Sequence, residues 1–345
     1  MRAVRLHECS PIEEGRRLLH LDEVSAPVPG PEDVVVQVLR CGVCHTELDE
    51  IEGRAPPAHV PLTLGHQAVG RVVERGERVS PDLSGQRVGV AWFNSACGRC
   101  RWCITGRENL CPSFVATGRD VDGGYAELLR APAASVVEVP DELSDTAAAP
   151  WLCAGAIGYR SLRLAGFGMP HSAPSHLGLT GFGASAHLVL RMALYLHPKT
   201  SVFVFARKAD EREFASSLGA AWVGAIEETP PALLDAIIDT TPAYGPLVRA
   251  LRWLTPGGRL VVNALRKEVS DQDAWLTLDY PRDLWMEKEI KSVANVTRAD
   301  VRDALAVAAK AGIRPTVTEF PLEHAEDALR HLRKGVRGAT VLRIQ

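Results

Sequence analysis

The sequence predicts an α/β protein in which a β-rich portion precedes a doubly wound parallel sheet. Over roughly the first 150 residues, apolar and polar side chains alternate along segments such as 33–40, 68–74 and 87–91, with Gly and Pro between them. This alternation is typical of a mostly antiparallel sheet. From Asp145 onward, helical stretches alternate with short, continuous apolar strands, which indicates parallel strands joined by helices.

The second half contains apolar segments separated by enough chain for right-handed crossovers. These predicted strands are residues 176–180, 201–205, 235–239, 259–263 and 289–294, and about six would complete a doubly wound sheet. The C-terminal sequence predicts a helix at 298–311, an extended segment at 316–320, a second helix at 323–334 and a last strand at 339–344. We expect this end to rejoin the first domain. Gly and Pro predict a flexible stretch at 166–174.

Composition narrows the class of protein further. With 46% hydrophobic and 23% charged residues, the chain is not disordered, collagen-like or a disulfide-stapled miniprotein. A net charge of −3 provides no basic field for a phosphate backbone, so nucleic acid is not an expected partner. No apolar run approaches the roughly 18 residues of a membrane span, and no signal-peptide core is present, which predicts a soluble cytoplasmic protein without membrane partners.

Four of the eight cysteines, Cys97, Cys100, Cys103 and Cys111, lie within one short segment. Four thiolates complete the tetrahedral coordination of zinc and leave no position for water or substrate, so this spacing predicts a structural zinc site. Free loop thiols and an iron–sulfur cluster are the alternatives.

A second candidate metal site consists of Cys44, His66 and Cys153, which are far apart in the sequence. Each residue alone is weak evidence, because isolated cysteines and histidines more often occupy cores or surfaces. Two thiolates and one imidazole would leave a tetrahedral zinc ion one open position, as in a catalytic site.

A glycine-rich turn follows the predicted strand 176–180 and leads into a predicted helix at 186–196. Gly181 permits a tight turn, Gly183 lets a pyrophosphate approach the helix N-terminus, and Ala186 is small enough for close packing of helix and strand. A plain turn is the alternative. The candidate cofactor-binding residues of this turn are Gly181, Phe182, Gly183, Ala184 and Ser185.

The strand at 201–205 does not end in the acidic residue that usually binds the ribose hydroxyls of NAD. Arg207, Lys208 and Arg212 follow instead, and these cations suit the 2′-phosphate of NADP. The sequence therefore favours NADP(H) over NAD(H). A solvated basic helix start is the alternative.

Together these features resemble the zinc-dependent alcohol dehydrogenases of the medium-chain dehydrogenase/reductase superfamily, over nearly the whole chain. Motifs in family order are Cys44-His-Thr, Gly65-His66, the four-cysteine segment, Gly123-Gly-Tyr-Ala-Glu, Leu152-Cys153-Ala-Gly and the glycine turn. The sequence looks most similar to the bacterial branch with Asp122-Gly-Gly-Tyr-Ala-Glu, Ala184-Ser-Ala-His and Ser292-Val-Ala-Asn-Val-Thr-Arg.

The resemblance implies a GroES-like catalytic domain formed by residues 1–153 and 293–345, with a structural zinc lobe at 95–112. A Rossmann domain at 154–292 would lie between these segments, with the active site in the cleft. The implied reaction transfers hydride between a small alcohol or aldehyde and a nicotinamide cofactor, with two zinc ions per chain. The ligands of the catalytic zinc would be Cys44, His66 and Cys153.

The resemblance also assigns roles to residues near these ligands. Thr46 would accept the alcohol proton and relay it towards the cofactor ribose, and His45 would contact the pyrophosphate. Glu47 replaces the usual aspartate that orients the zinc histidine. Glu52 stands where several relatives have the histidine that ends the proton relay.

Other positions bear on the reaction rate, on the exchange of zinc ligands and on the shape of the substrate site. Gln67 replaces a glutamate beside the zinc histidine, and Ile157 replaces a threonine expected against the nicotinamide. Three aromatic residues, Trp92, Phe93 and Trp151, would line a narrow apolar slot for a primary alcohol or aldehyde.

Two other functions stay open at this stage. One is a metal-independent quinone or enone reductase, and the other is a non-catalytic, zinc-bearing nucleotide sensor. Because relatives often assemble by joining the edges of Rossmann sheets, we expect a homodimer or homotetramer, with residues 259–294 at the interface.

Overall fold

The computed structural model describes residues 1–13, 15–167, 174–335 and 337–345, which form two compact units. Unit 1 comprises Met1–Ala156 and Val296–Gln345, and unit 2 comprises Ile157–Asn295. The predicted domain boundaries, after residues 153 and 292, lie three residues before these limits. Residues 168–173 of the predicted flexible stretch lie outside the described residues.

The N-terminal part of unit 1 is rich in short strands. Its strands are β1 (Arg2–Leu6), β2 (Leu19–Glu23), β3 (Asp33–Val43), β4 (Leu62–Thr63), β5 (Ala68–Arg75), β6 (Arg87–Val90), β7 (Phe93–Ser95), β8 (Val115–Ala116), β9 (Leu128–Pro132) and β10 (Val137–Glu138). Its helices are α1 (His45–Ile51), α2 (Arg101–Ile104) and α3 (Asp145–Ala148). The three alternating segments of the sequence are found as β3, β5 and β6, which pair antiparallel. Consecutive residues of β3 and β6 are buried, so parts of these strands have both faces covered rather than one.

Unit 2 is a six-stranded parallel sheet with helices. Its elements in chain order are α4 (Ala154–Leu162, which begins in unit 1), β11 (His176–Thr180), α5 (Ala184–Leu196), β12 (Ser201–Phe205), α6 (Ala209–Ser217), β13 (Trp222–Gly224), β14 (Leu234–Asp239), α7 (Tyr244–Ala250), β15 (Leu254–Val262) and β16 (Glu289–Ser292). The strand order is β13-β12-β11-β14-β15-β16. The predicted α/β fold class with a doubly wound parallel sheet is therefore confirmed. The sequence pattern did not single out β13, because three residues are too short to show a period.

The chain order reverses at β11, which pairs with β12 on one side and β14 on the other. In a doubly wound sheet, the carboxyl ends of the strands at this reversal form the usual ligand-binding edge. Here that edge carries the glycine turn after β11 and the loops after β12 and β14.

The C-terminal segment belongs to unit 1. Its elements are α8 (Arg298–Lys310), β17 (Val317–Pro321), α9 (Ala325–Arg333) and β18 (Ala339–Arg343). β18 pairs antiparallel with β3, and β17 pairs parallel with β18. The largest sheet of unit 1 therefore has the order β10-β6-β5-β3-β18-β17, with β9 also on β3. A smaller sheet has the order β2-β1-β4.

A buried carboxylate fixes α9 against the N-terminal segment. Glu326 Oε2 accepts the backbone N–H groups of Leu18 at 2.7 Å and Leu19 at 3.1 Å. Its other oxygen accepts a hydrogen bond from Arg330 at 2.6 Å. Since a charged acceptor strengthens such hydrogen bonds, the two ends of the chain are held together by more than apolar packing.

Each unit has its own apolar core. In unit 1, the buried valines of β3 pack with Leu329 and Leu332 of α9 and Leu342 of β18. In unit 2, side chains of β12, β14 and β15 pack with Leu247 and Leu251. Among the described helices, none is both long and apolar enough to cross a membrane.

Candidate active site and metal centres

The four-cysteine segment forms a compact sulfur cluster between β7 and β8. All four Sγ atoms lie within 4.8 Å of one another. The Sγ atom of Cys103 lies 3.9 Å from that of Cys97 and 3.6 Å from that of Cys100. Tetrahedral zinc places its sulfur ligands about 3.8 Å apart, so the cluster has the dimensions of a zinc site with four thiolate ligands.

The electrostatics of this cluster favour a cation. Backbone N–H groups of Arg99 and Cys100 lower the pKa of the Cys97 thiol to about 6. Burial and the neighbouring thiols raise the pKa of Cys103 to about 12. The Cys97 thiol therefore ionises readily, whereas burial and hydrogen bonds with the neighbouring thiols favour the protonated form of Cys103. A divalent cation would supply the charge that allows all four to ionise.

The cysteine lobe is attached to the rest of unit 1 by an ion pair. Glu108 accepts hydrogen bonds from Arg298, at 3.1 Å from its backbone N–H and at 3.4 Å from Nε. The guanidinium of Arg298 also lies 5.5 Å from the ring centre of Phe93. The lobe is thus joined directly to the N-terminus of α8.

The second candidate site unites three residues that are remote in sequence. His66 Nε2 lies 3.4 Å from both Cys44 Sγ and Cys153 Sγ, and the three ligand atoms all lie within 4.8 Å of one another. A tetrahedral zinc ion places sulfur and nitrogen ligands about 3.6 Å apart. The geometry therefore fits a zinc ion with three protein ligands and one open position.

Local structure explains how these ligands meet. Cys44 is the N-cap of α1, and its Sγ accepts the N–H of Thr46 at 3.3 Å. His66 follows Gly65, which has a φ of +97° and packs so tightly that a Cβ would lie 2.3 Å from the ring of Tyr125. Cys153 lies immediately before α4. A side chain at position 65 would therefore clash with Tyr125, so a glycine precedes His66.

Glu47 connects the first ligand to the second. One carboxylate oxygen accepts the backbone N–H of Cys44 at 2.9 Å, and the other lies 2.9 Å from His66 Nδ1. Both side chains are buried, with exposed fractions of 0% for Glu47 and 1% for His66. The longer glutamate side chain therefore reaches the histidine, whose Nε2 faces the two thiols.

This buried site stabilises positive charge. Burial lowers the pKa of His66, but the charges of Glu47 and Cys44 outweigh it, and the pKa lies well above its ordinary value. The hydrogen bond with Cys153, together with burial, raises the pKa of Cys44 well above its ordinary value. The Cys44 thiol therefore resists ionisation beside an imidazole that favours a positive charge, and a bound cation would stabilise its thiolate.

The resemblance also assigns roles to His45, Thr46 and Glu52, on α1 or at its C-terminal end. His45 is exposed, and Thr46 is half-buried beside Cys44. The carboxylate of Glu52 pairs with Arg54 and with Arg333, 2.7 Å away. These contacts tie Glu52 to α9 rather than to a zinc ligand, so they give no support to the proton-relay role expected for it.

The structure also contains an acidic residue that sequence reasoning missed. Glu50 is fully buried on α1, and within the described chain neither of its carboxylate oxygens has a hydrogen-bond partner. Burial and the charge of Glu47 raise its pKa well above the ordinary value, although His66 and Arg119 oppose this shift. The spacing of three residues from Glu47, which places both on one helix face, was the available signal.

Gln67, which replaces the family glutamate, is buried against β3. A Cβ at Gly42 would lie 2.6 Å from Gln67 Oε1, and the amide nitrogen has no partner among the residues that the structure describes. Gly42 is therefore required by the close approach of this side chain.

The aromatic residues expected to line the substrate slot differ in position. The Trp92 ring centre lies 6.3 Å from that of His66 and 5.6 Å from that of Phe114. Phe93 is buried and contacts Phe114 edge-on. Trp151 is fully buried against Gly155, so it is a core residue. Phe114 is a site neighbour that the sequence analysis did not identify.

The glycine turn has the local geometry of a nucleotide-binding turn. Gly181 has a φ of +79°, and Gly183 caps α5. Apart from its chain neighbours and the α5 backbone, no described atom lies within 4 Å of where a Cβ at Gly183 would be. Ala184 and Ser185 form the first turn of α5, whereas Phe182 is buried against Phe214. The N-terminus of α5 is therefore open to a ligand, and Phe182 serves packing instead.

The basic residues after β12 lie beside this turn. The N–H of Gly181 donates to the carbonyl of Phe205 at 2.8 Å, which places the two loops side by side. Arg207 and Lys208 are exposed and form no ion pair within the described residues. Arg212 differs, because its guanidinium donates to the carbonyls of Ala206 and Arg207, at 2.8 and 2.9 Å. It braces the loop that carries the other two cations.

Comparisons with known proteins agree with this geometry. The alcohol dehydrogenase GroES-like domain matches residues 30–141. "Probable alcohol dehydrogenase AdhA" of Mycobacterium tuberculosis is 40% identical over 325 residues, which cover 92% of this chain and 90% of that protein.

Solved structures also resemble the whole chain. A cinnamyl alcohol dehydrogenase from Sorghum bicolor has a TM-score of 0.82 and 28% identity, covering 99% of this chain and 97% of its own. A Sinorhizobium meliloti protein solved with NADP has a TM-score of 0.85 and 25% identity, covering 99% of both chains. The chain therefore belongs to the zinc-dependent alcohol dehydrogenases of the medium-chain dehydrogenase/reductase superfamily.

Proposed function

We propose that this protein oxidises a small primary alcohol to the aldehyde, or catalyses the reverse reduction, with NADP(H) preferred as the hydride carrier. The observation that carries this proposal is the three-ligand arrangement of Cys44, His66 and Cys153, which leaves one coordination position for a substrate oxygen. A metal-independent reductase or a nucleotide sensor would have no use for this open position.

The chain's own residues prepare this site for chemistry. Cys44, His66 and Cys153 would hold zinc, which when bound acts as a Lewis acid on the substrate oxygen. Glu47 orients the His66 ring and keeps its Nε2 directed at the thiols. Thr46, next to Cys44 on α1, would take up the proton that the alcohol loses. Trp92 and Phe114 would exclude water from one side.

A second zinc ion would be structural. Cys97, Cys100, Cys103 and Cys111 would occupy all four of its positions, so it would stabilise the lobe without contacting substrate. Since Glu108 of this lobe pairs with Arg298, we expect loss of this metal to loosen the N-terminus of α8 as well.

The preference for NADP(H) rests on the loop after β12. The glycine turn and the N-terminus of α5 would bind the pyrophosphate. Exposed Arg207 and Lys208, with no acidic residue at the end of β12, would bind the 2′-phosphate. The resemblance to the S. meliloti protein solved with NADP supports this assignment.

We also propose that the protein is an oligomer, a homodimer or a homotetramer, in which two copies join through β16. This strand lies at the edge of the unit 2 sheet, and all four of its residues are exposed. Nearby Trp285, Met286 and Ile290 expose 54%, 52% and 38% of their surfaces. An open, partly apolar strand edge is a ready pairing surface for a second copy.

The cysteine chemistry supports the cytoplasm as the compartment. All eight cysteines are free thiols, and seven of them, all but Cys9, are buried or half-buried. The two candidate metal sites account for Cys44, Cys153 and the four cysteines of the lobe. A reducing compartment keeps such thiols available for zinc.

The first prediction concerns metal content and activity. We expect the wild type to contain two zinc ions per chain and to oxidise short primary alcohols with NADP+. Cys44→Ser should lose one zinc and lower kcat/KM at least about 100-fold, because the open-position site loses a ligand. Plasma emission spectroscopy and absorbance at 340 nm measure the two effects, and Cys9→Ser, which alters an exposed cysteine outside both clusters, is the control. One zinc per chain that Cys44→Ser leaves in place, with no alcohol turnover, would contradict the proposal.

A second prediction concerns Glu47. Glu47→Ala should weaken zinc binding at the three-ligand site about 10- to 100-fold, because the His66 ring loses the group that orients it. Competition with a chromogenic chelator would measure the zinc affinity of both sites, and we expect it to fall at the three-ligand site and stay unchanged at the four-cysteine site. The matched control is Glu32→Ala, which removes an exposed carboxylate. An equal loss of zinc affinity at both sites would show that Glu47 stabilises the fold in general rather than the His66 ring.

A third prediction tests cofactor preference. Replacing Arg207 and Lys208 together with Ala should raise the Kd for NADPH about 10- to 100-fold, because charge-assisted hydrogen bonds to the phosphate are lost. The Kd for NADH, which lacks that phosphate, should change little. Fluorescence titration measures both constants. The control is Lys199→Ala, which removes an exposed lysine just before the N-terminal end of β12. If the Arg207 and Lys208 variant raised the Kd for both nucleotides equally, the 2′-phosphate assignment would be refuted.

A fourth prediction concerns assembly. Light scattering should give at least twice the chain mass of 37.4 kDa, and Ile290→Glu should shift the protein towards monomers by burying a charge at the joined edge. Leu21→Glu, which changes an exposed apolar residue of β2, should leave the mass unchanged. A monomeric wild type would exclude the proposed interface.

A further inference from the structure

We propose that Lys267 is a positioning residue for the cofactor-binding turn, acting through the loop that follows β14. This inference rests on the proposed function, since it assumes that the glycine turn binds a nicotinamide nucleotide. Lys267 lies in the segment after β15, and it belongs to none of the sequence motifs.

Every hydrogen that the Lys267 ammonium can donate has a protein acceptor. Nζ pairs with the carboxylate of Asp239 and donates to the carbonyls of Thr241 at 2.7 Å and Ala243 at 3.1 Å. The side chain is only 7% exposed. Because an ammonium has three N–H donors, none is left for a cofactor phosphate. Any effect of Lys267 on cofactor binding must therefore pass through the residues that it holds.

Asp239 is the fully buried counter-charge at the end of β14. Its Oδ1 accepts hydrogen bonds from the hydroxyls of Thr180 at 2.5 Å and Thr241 at 2.8 Å. Its Oδ2 is the oxygen that pairs with Lys267. A buried carboxylate needs both hydrogen bonds and a counter-charge, so Lys267 and Asp239 stabilise each other in one geometry.

This network lies directly behind the glycine turn. The backbone N–H and the hydroxyl of Thr240 both donate to the carbonyl of Thr180, at 2.9 and 3.0 Å. A Cβ at Gly181 would lie 3.0 Å from Thr240 Oγ1 and 3.0 Å from Thr241 Cγ2. The loop at 240–241 is therefore the surface against which the turn packs.

The segment that carries Lys267 contacts the same edge at two further points. Asn263 donates its amide hydrogen to Ser185 Oγ on the first turn of α5, at 3.2 Å. The N–H of Glu268 donates to the carbonyl of Pro242 at 2.8 Å. Residues 263–268 thus brace both α5 and the loop after β14, and Lys267 adds an ion pair to these hydrogen bonds.

These contacts predict a specific loss when the ammonium is removed. Without it, the carbonyls of Thr241 and Ala243 lose their shared donor, and the surface behind Gly181 is free to move. Cofactor binding then costs the conformational entropy of ordering the turn, a cost that a preorganised site avoids. Because the turn would contact the pyrophosphate common to both nucleotides, NADPH and NADH should be affected alike.

The test uses the zinc-loaded full-length protein and the variant Lys267→Met, which keeps the apolar stem. We expect its Kd for NADPH and for NADH, from fluorescence titration, to rise about tenfold each. Zinc content and the KM for the alcohol at saturating cofactor should stay unchanged. This pattern differs from that of the Arg207 and Lys208 variant, which separates the two nucleotides.

Two controls distinguish positioning from a general stabilising role. Leu260→Ala truncates a buried core residue of β15 and should lower Tm without raising either Kd. The double variant Lys267→Met/Asp239→Asn removes both buried charges, so Tm should recover while the loop stays untethered and the Kd values stay raised. Should Lys267→Met fail to fold, this double variant carries the test.

Wild-type Kd values in Lys267→Met would overturn the inference, as would recovery of Tm and Kd together in the double variant. An equal rise in Kd for Leu260→Ala would also overturn it. If the wild type binds neither nucleotide, the proposed function itself fails, and that outcome is separate because it needs no variant.

Discussion

The Glu47 carboxylate holds the helix that presents Cys44 against the loop that presents His66. One oxygen caps the backbone of α1 at Cys44, and the other lies against His66 Nδ1. Because the side chain is fully buried, it has no competing contact with water. Two candidate zinc ligands that are 22 residues apart in the sequence are thus positioned by one buried side chain. Cys153, immediately before α4, completes the three-residue group.

Both cysteine-containing sites share one electrostatic problem. In each cluster the pKa of one thiol lies above its ordinary value, Cys44 at one site and Cys103 at the other, and a bound cation would favour ionisation of both. The four-cysteine lobe is closed by its fourth sulfur, whereas the other site keeps one position open. The same ligand chemistry would therefore suit a structural zinc ion at the four-cysteine lobe and a catalytic zinc ion at the three-ligand site.

A buried ion pair lies behind the glycine turn of unit 2. The glycine turn has few side-chain contacts of its own, since Gly181 and Gly183 have no side chains. Its position depends on the loop after β14, and that loop is held by Lys267 and Asp239. A binding turn made of glycine gains close approach to a ligand but needs rigid neighbours to keep its N–H groups in place.

The sequence by itself determined the features that depend on residue type and local spacing. The cysteines at 97, 100, 103 and 111 lie within one loop, so their spacing was sufficient to predict that their sulfur atoms would cluster. The glycine turn and the apolar strands were predictable for the same reason, because a turn type and a strand period are local properties.

Tertiary structure decided which residues meet when the chain brings distant elements together. Four features depend on such packing. They are the burial of Glu50, the ion pair of Glu52 with Arg333, the contact of Phe114 with Trp92, and the ion pair of Lys267 with Asp239. Periodicity indicates which face of an element is buried, but not the partner that covers it. An acidic residue on α1 or at its C-terminal end can therefore contact a candidate ligand, lie buried without a hydrogen-bond partner in the described chain, or pair with another helix. Only the folded chain distinguishes Glu47, Glu50 and Glu52.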